Sequence, residues 1–333
     1  MEETQSALHK RLMSTKPPHI LVADWYSPEF SIEESVFQKL GWEWSLPGWK
    51  APAPPAGEQE RQLLERIAKT ENITGMLFIL APITAKVIEA LPASCKHLQR
   101  IGIGLDNVAM DVAKARGITV NNTPDYATEE VAVQAMAMIL SLHRQLGITQ
   151  KVLASGTWRI QPPSPITRLS ELTVGLVGLG RIGARFAAMI RPLVRSVSYF
   201  DPFVTTPPEG LSPASLDEVI RESDIVSLHC PLTAETRNLI NFDRLATMKS
   251  NAILINVSRG ALVDAVALHA ALSTGIIAGA GLDVYEPEVL PPTSPLHSLD
   301  NIILTSHTAW YSEESKRDCR TQAVERLLQA LGV

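Results

Sequence analysis

A chain of 333 residues, 45% hydrophobic and 20% charged, is long enough for two domains and can bury a large core without disulfides, which excludes a lone small module. Lys and Arg number 30 against 35 Asp and Glu, a formal charge of −5 with a pI near 5.9; no basic stripe is present to engage phosphates, so no nucleic-acid partner is expected. Cys95, Cys230 and Cys319 are far apart, odd in number and match no metal-ligand spacing, which points to a reducing, cytoplasmic compartment with neither a disulfide framework nor a metal.

In chain order, Met1 to Pro18 is polar, with Glu2, Glu3, Lys10 and Arg11, and lacks the apolar segment of a secretory signal. Met1 to Leu12 reads as a disordered tail or an artefact of start-site choice. Four β-branched runs, His19–Asp24, Thr74–Leu80, Leu98–Ile103 and Ile118–Asn121, alternate with helical patterns, the pattern of βαβ units and a parallel sheet. Between the first two, Gly41 to Gly57 holds Trp42, Trp44 and Trp49 among Pro47, Pro52, Pro54 and Pro55; it reads as a loop, because proline removes backbone donors and fixes φ. Packing on the domain surface or a subunit contact is preferred for its tryptophans over a lid on a ligand. Apolar runs such as Ile73–Pro82 and Val131–Leu140 fall short of the ~18 residues of a membrane span, so no membrane partner is expected.

Thr128 to Leu146 predicts a long amphipathic helix opened by Thr128, with Glu129 and Glu130 in its first turn, and closed by Gly147. Beyond Gly156 and the Pro-rich Gln161–Pro165 comes a second alternating series: Leu172–Val177, Ser196–Phe200, Ile225–Leu228, Ala252–Asn256, Ala278–Leu282 and Ile302–Thr305. Six strand candidates with helices between them fit a doubly wound nucleotide-binding domain. The first runs into Gly178-Leu-Gly180-Arg-Ile-Gly183 and then a helix over Ala184–Arg191. Gly178 permits a tight turn, Gly180 lets backbone N–H groups approach a pyrophosphate, and Gly183 lets helix and strand pack closely. Asp201 ends the following strand, where a carboxylate accepts bonds from the ribose hydroxyls and repels a 2′-phosphate; NAD(H) is therefore favoured over NADP(H). Taken alone, this turn is also compatible with a nucleoside-binding methyltransferase.

Three later strand ends carry polar residues: Asn256-Val-Ser-Arg259-Gly260, Asp283-Val-Tyr-Glu-Pro-Glu288 and Thr305-Ser-His307-Thr-Ala-Trp310. The arginine fork suits a carboxylate substrate. An imidazole exchanges protons near neutral pH, and a neighbouring carboxylate favours its charged form. Each residue alone is as readily a salt bridge, a solvated acid or a core histidine; in order after a dinucleotide turn they form a coherent oxidoreductase group.

With these stretches, and with Arg100-Ile-Gly-Ile-Gly-Leu-Asp-Asn107, Tyr199-Phe-Asp-Pro202 and His229-Cys-Pro-Leu-Thr233, the chain resembles the D-2-hydroxyacid dehydrogenase family from about residue 70 to its end. Through His307-Thr-Ala-Trp-Tyr-Ser-Glu313 it is most similar to the branch that includes the C-terminal binding protein corepressors. The resemblance implies two Rossmann-like, doubly wound α/β lobes: a discontinuous substrate lobe from residues 1–121 and 312–333, and an NAD-binding lobe from 122–311, with a cleft at the lobe interface. It implies Arg259 as binder of the substrate carboxylate and keto oxygen, His307 as proton donor and acceptor, and Glu288 as the carboxylate that supports His307. Backbone groups at Ile103 and Gly104 would face the substrate carboxylate, and Trp310 would wall the pocket. Arg181 and Ile182 would meet the pyrophosphate, Asp283 the nicotinamide amide, and Cys230, Pro231, Thr236 and Val257 would border the cofactor, Cys230 as lining and not as a nucleophile. A homodimer acting on a small anionic 2-oxo or 2-hydroxy acid is implied. Ser306 stands where the family often has Pro, and Ile103 where the corepressors have a small residue; the first loosens the histidine turn, the second narrows the pocket. Arg100 meets a second anionic group on the substrate or pairs within its domain. The competing function is an NAD(H)-responsive binding protein; the intact Arg259, Glu288 and His307, and an end at Val333 without a long tail, speak for catalysis. Formate dehydrogenation is disfavoured because that group carries Gln at the position of Glu288.

Overall fold

Two separate parallel sheets account for the two alternating series. The computed structural model describes residues 17–27, 29–49 and 54–333; Met1–Leu12, read above as a tail, lies outside the described residues. The chain divides into one unit containing the segment up to Tyr126 together with Glu313–Val333, and a second containing Ala127–Ser312.

The first unit is a five-stranded sheet in the order β2-β1-β3-β4-β5, from β1 His19–Val22, β2 Glu43–Ser45, β3 Ile73–Phe78, β4 His97–Arg100 and β5 Thr119–Asn121, all neighbours parallel. All four residues of β1 are buried, as a central strand covered on both faces requires. The helix Glu313–Leu331 buries Cys319, Ala323, Val324 and Leu327, and lies so close to the sheet that a Cβ on Gly75 would stand 3.1 Å from Leu327 Cδ1. It is tied to the helix Ser31–Leu40 by Arg320, which donates to Glu33 through Nε (2.9 Å) and Nη2 (2.6 Å) and lies over the Trp25 ring at 5.2 Å. Both side chains are buried, and removing one partner of such a pair costs about 3–5 kcal/mol.

The Gly41–Gly57 segment is not wholly a loop. It contains β2, whose Glu43 pairs with His19, and a helix begins at Ala56. Three residues on a sheet edge, between Gly41 and Pro47, give too short a pattern to stand out. Nor are its tryptophans all at the surface: Trp42 is buried and stacks on Phe37, and Trp44 packs on Phe30 and Phe37.

The second unit is a seven-stranded sheet, β12-β11-β10-β9-β6-β7-β8, built from β6 Thr173–Val177, β7 Ser196–Phe200, β8 Ser212–Pro213, β9 Ile225–Leu228, β10 Ile253–Asn256, β11 Gly279–Leu282 and β12 Ile302–Leu304. The strand order reverses between β6 and β9, the point where such sheets bind ligands outside their carboxyl ends. Six runs were expected; the seventh strand, β8, is two residues including Pro213 and carries no period to read. The helix expected over Thr128–Leu146 stops at His143. Gln145 takes a left-handed φ of 53°, and a second helix, Leu146–Ala154, contains Gly147. Thr128 does not cap it either; the N-cap is Ala127, with no side-chain bond. The helix after the glycine turn runs Arg181–Ile190, three residues earlier than expected at its start.

Candidate active site

That earlier start matters for the glycine turn. Intrahelical bonding begins with Ala184 N–H to Gly180 O at 2.8 Å, so the preceding first-turn amides have no intrahelical acceptor and form an anion-binding end. Gly178 has φ 97°, and a Cβ there would lie 2.7 Å from Cys230 N; a Cβ on Gly183 would lie 2.4 Å from Gly178 O. These two glycines are demanded by backbone contact. Above Gly180 a Cβ would meet nothing within 4 Å, which leaves an open cradle beside the first turn of the helix. Asp201 closes one side, accepting from Leu179 N (2.7 Å) and Phe203 N (2.9 Å). The turn, the cradle and the fixed carboxylate fit a dinucleotide with unphosphorylated ribose hydroxyls.

The loop after β9 forms the far wall. Thr236 Oγ1 donates to Pro231 O (2.8 Å) and accepts from Thr233 N (2.7 Å), holding Cys230 and Pro231 beside the glycines. Burial, then the charge of Asp201, push the Cys230 thiol up to about 11, so it is protonated and unreactive. Val257 is buried just past β10. Sequence reasoning did not single out His229. Its Nε2 lies 2.9 Å from Ser227 Oγ, its ring is 5.2 Å from Phe186, and its Nδ1 is buried with no partner among the described residues. Burial lowers its pKa to about 4, so it is a neutral wedge behind the turn.

Three adjacent strands bring Arg259, Glu288 and His307 to one edge: Asn256 of β10 is in register with Leu282 of β11, and Leu282 with Leu304 of β12. The Arg259 turn is held by Asn256, which accepts from Ser258 N (3.1 Å) and donates to Arg259 O (2.8 Å). Arg259 Nη1 donates to Ser258 O at 2.7 Å. Gly260 is needed for close approach, since a Cβ would fall 1.9 Å from Tyr285 C. Tyr285, another residue not singled out from the sequence, donates to Leu282 O (3.0 Å) and Thr305 O (2.7 Å), knitting the ends of β11 and β12.

His307 has φ 53°, a left-handed conformation costly for a non-glycine residue and persistent only where the surroundings impose it. Asp283 imposes it. Its carbonyl accepts from His307 N (2.8 Å), and its fully buried carboxylate accepts from Thr308 N (3.0 Å), Ala309 N (2.9 Å) and Thr305 Oγ1. The turn is therefore firmly held despite Ser306. His307 Nδ1 and Glu288 Oε1 are in direct hydrogen-bond contact, with both side chains about half exposed. Trp310 meets Tyr311 edge-on at 5.5 Å.

In the first unit, the loop after β4 is clipped by Thr123, whose Oγ1 accepts from Gly102 N at 2.7 Å, and by Asn122, which donates to Ile103 O at 2.7 Å. The amides of Ile103 and Gly104 have no intramolecular acceptor among the described residues. Arg100 pairs within the domain: Nη1 hydrogen-bonds Asn107 Oδ1. Among the described residues no group of three His, Cys, Asp or Glu is placed to hold a metal, and no single helix is long and apolar enough to cross a membrane.

Residues 136–309 match the family described as D-isomer specific 2-hydroxyacid dehydrogenase, NAD binding domain. The chain is 36% identical over 304 residues to a glyoxylate reductase of Korarchaeum cryptofilum, covering 89% of this chain and 90% of that protein. It is 35% identical over 255 residues to a hydroxypyruvate reductase of Thermotoga maritima, covering 75% and 82%. A crystal structure of D-lactate dehydrogenase from Aquifex aeolicus, complexed with NAD and lactic acid, aligns with a TM-score of 0.79 at 26% identity, over 94% of this chain and 96% of that one.

Proposed function

The chain belongs to the D-isomer specific 2-hydroxyacid dehydrogenase family, and from that premise we propose that Arg259, Glu288 and His307 carry its chemistry. It is an NAD(H)-dependent oxidoreductase that interconverts 2-oxo acids and D-2-hydroxy acids. When bound, NADH supplies the hydride that reduces the keto carbon. Arg259 grips the substrate carboxylate with its planar fork and stabilises charge on the keto oxygen. Because Glu288 engages His307 at Nδ1, the proton given to that oxygen is the one on Nε2; in oxidation the same nitrogen takes it back. Glu288 supports the imidazolium so formed.

Gly178, Gly180, Arg181, Ile182 and Gly183 hold the pyrophosphate, and Asp201 the ribose. Cys230, Pro231, Thr236 and Val257 line the cofactor. Asp283 both fixes the His307 turn and takes the nicotinamide amide. In the first unit, read as the substrate lobe, the amides of Ile103 and Gly104 receive the substrate carboxylate; Trp310 walls the pocket. The observation that carries this reading is the Glu288–His307 pair on a turn pinned by Asp283. Its test is to incubate the protein with NADH and pyruvate or hydroxypyruvate and assign the product: NADH oxidation yielding the D isomer is expected, and L product or none contradicts it.

The corepressor-type reading is favoured only by the His307–Glu313 stretch. It predicts tight NADH binding without turnover, whereas the pinned acid–base pair supports catalysis. The enzyme acts as a cytoplasmic homodimer in this reading; three free cysteines suit a reducing compartment, and the helix Leu146–Ala154 has no buried residue, with Trp158 and Ile160 more than three-quarters exposed, an apolar arm suited to a second copy.

A further inference from the structure

The five-stranded sheet has its own topological switch. β1 and β3 are neighbours, and the order proceeds to β2 on one side and β4 on the other; in open α/β sheets ligands lie outside the carboxyl ends of the strands at such a point. Two charged groups there, Asp24 and Arg100, are bonded within the chain. Asp24, just past β1 and fully buried, accepts N–H bonds from Ile79 (2.7 Å), Leu80 (2.6 Å) and Ala81 (2.8 Å). Three consecutive amides that could cradle an anion are thus closed by a side chain of the chain itself. Arg100, at the end of β4, is turned beneath its own loop. Gly102, at φ 144°, leaves the room for it, since a Cβ there would stand 3.1 Å from Arg100 Nε. The guanidinium bonds Asn107, which donates to Ala81 O at 2.7 Å. Asp24 and the Arg100–Asn107 pair therefore brace the two loops against one another.

What this edge leaves open includes an apolar side chain. Leu80 is 51% exposed. The Tyr26 hydroxyl lies against Asp24, and its ring meets Trp49 at 5.6 Å, edge-on; the last tryptophan of the Pro-rich segment so joins the switch point. We propose that this edge receives the substrate's side chain and selects an apolar one, a branched or aromatic 2-oxo acid, over 2-oxo acids bearing a second carboxylate, with Leu80, Tyr26 and Trp49 as the selecting surface. The proposal rests on reading the five-stranded unit as the substrate lobe. Burying a branched or aromatic side chain there favours it by about 10- to 150-fold, while a second carboxylate meets apolar groups and loses its water.

The test is kcat/KM with NADH for glyoxylate, 4-methyl-2-oxopentanoate, phenylpyruvate, oxaloacetate and 2-oxoglutarate, in the wild type and in Leu80→Arg, an exposed substitution whose fold is checked by its melting temperature. The two apolar acids are expected to exceed the two dianions by about 10-fold or more, and Leu80→Arg to collapse or reverse that ratio. Glyoxylate has no side chain and reports whether the chemistry is present. If it is reduced while dianions match or exceed the apolar acids, or if Leu80→Arg leaves the ratio unchanged, the proposal is overturned and the activity stands. If no acid oxidises NADH, the activity fails. Selectivity is then read from the rise in melting temperature on adding each acid: a larger rise with apolar acids supports the proposal, and an equal or smaller one overturns it.

Discussion

At the scale of single residues, geometry decides the proposed site's charge preference more than net charge does. The chain carries a formal charge of −5, yet its proposed substrate is an anion, because one oriented guanidinium outweighs a diffuse balance screened by solvent. Arg259 is held on a turn fixed by Asn256 and packed through Gly260 against Tyr285, which fixes the backbone from which its fork extends. Arg259→Lys keeps the charge and loses the fork. Steady-state kinetics should show kcat/KM down by at least about 10-fold, the loss of one charge-assisted hydrogen bond, with NADH affinity unchanged; unaltered kcat/KM would mean that Arg259 acts only as a point charge. The residues legible in the sequence were those whose demand is intrinsic to the residue type. Gly178 and Gly183 sit where backbone contact forbids a Cβ, whereas Arg259 and His307 stood out only together, in order after the dinucleotide turn. The partners of Asp283 were not legible, because they are amides of Thr308 and Ala309, and any residue carries an amide. Arg100 was ambiguous for a related reason: its partner, Asn107, is supplied by a loop whose path no periodicity specifies.

At the scale of elements, the strands inside a sheet were readable, and so were the three-residue edges β5 and β12, whereas β2 and β8 were not. β6, β9 and β10 are runs of four or five residues, nearly all buried. β2 and β8 are three and two residues, mostly exposed, and cannot show a period. The end of the helix at His143 was missed because the left-handed residue that breaks it is Gln145 and not a glycine. The dinucleotide turn also depends on the end of β9, a stretch the sequence marked without giving His229 a role; there neutral His229 fills the space behind the glycines. Its pKa is lowered to about 4 in the folded protein against 6.5 for an ordinary histidine. The folded state therefore holds fewer protons at this site than the unfolded one; the stability it contributes is complete above about pH 6.5 and is lost as pH falls through about 4. Melting temperatures across that window should fall less steeply for His229→Gln than for the wild type. Parallel curves would show that His229 does not titrate on unfolding.

At the scale of the whole molecule, the last helix returns to the first unit, because it buries an apolar face on the five-stranded sheet and clamps Glu33 with Arg320. Sequence alone carried no local sign of this return; it came only through resemblance to a family so built. The other feature of this scale is the arm after His143, where Leu146, Leu153, Trp158 and Ile160 are all more than half exposed. If this arm joins two copies as proposed, Trp158→Asp should sediment as a monomer and the wild type as a dimer; a monomeric wild type would contradict the proposed dimer.

As proposed, His307, oriented by Glu288, is the acid–base group of an NADH-dependent 2-oxo acid reductase. The most direct measurement is kcat for reduction by His307→Ala beside the wild type, with NADH affinity followed by fluorescence. Loss of the general acid predicts a kcat lower by roughly 10²- to 10⁴-fold with NADH binding retained. Turnover near the wild-type level, with the cofactor bound as before, would contradict it.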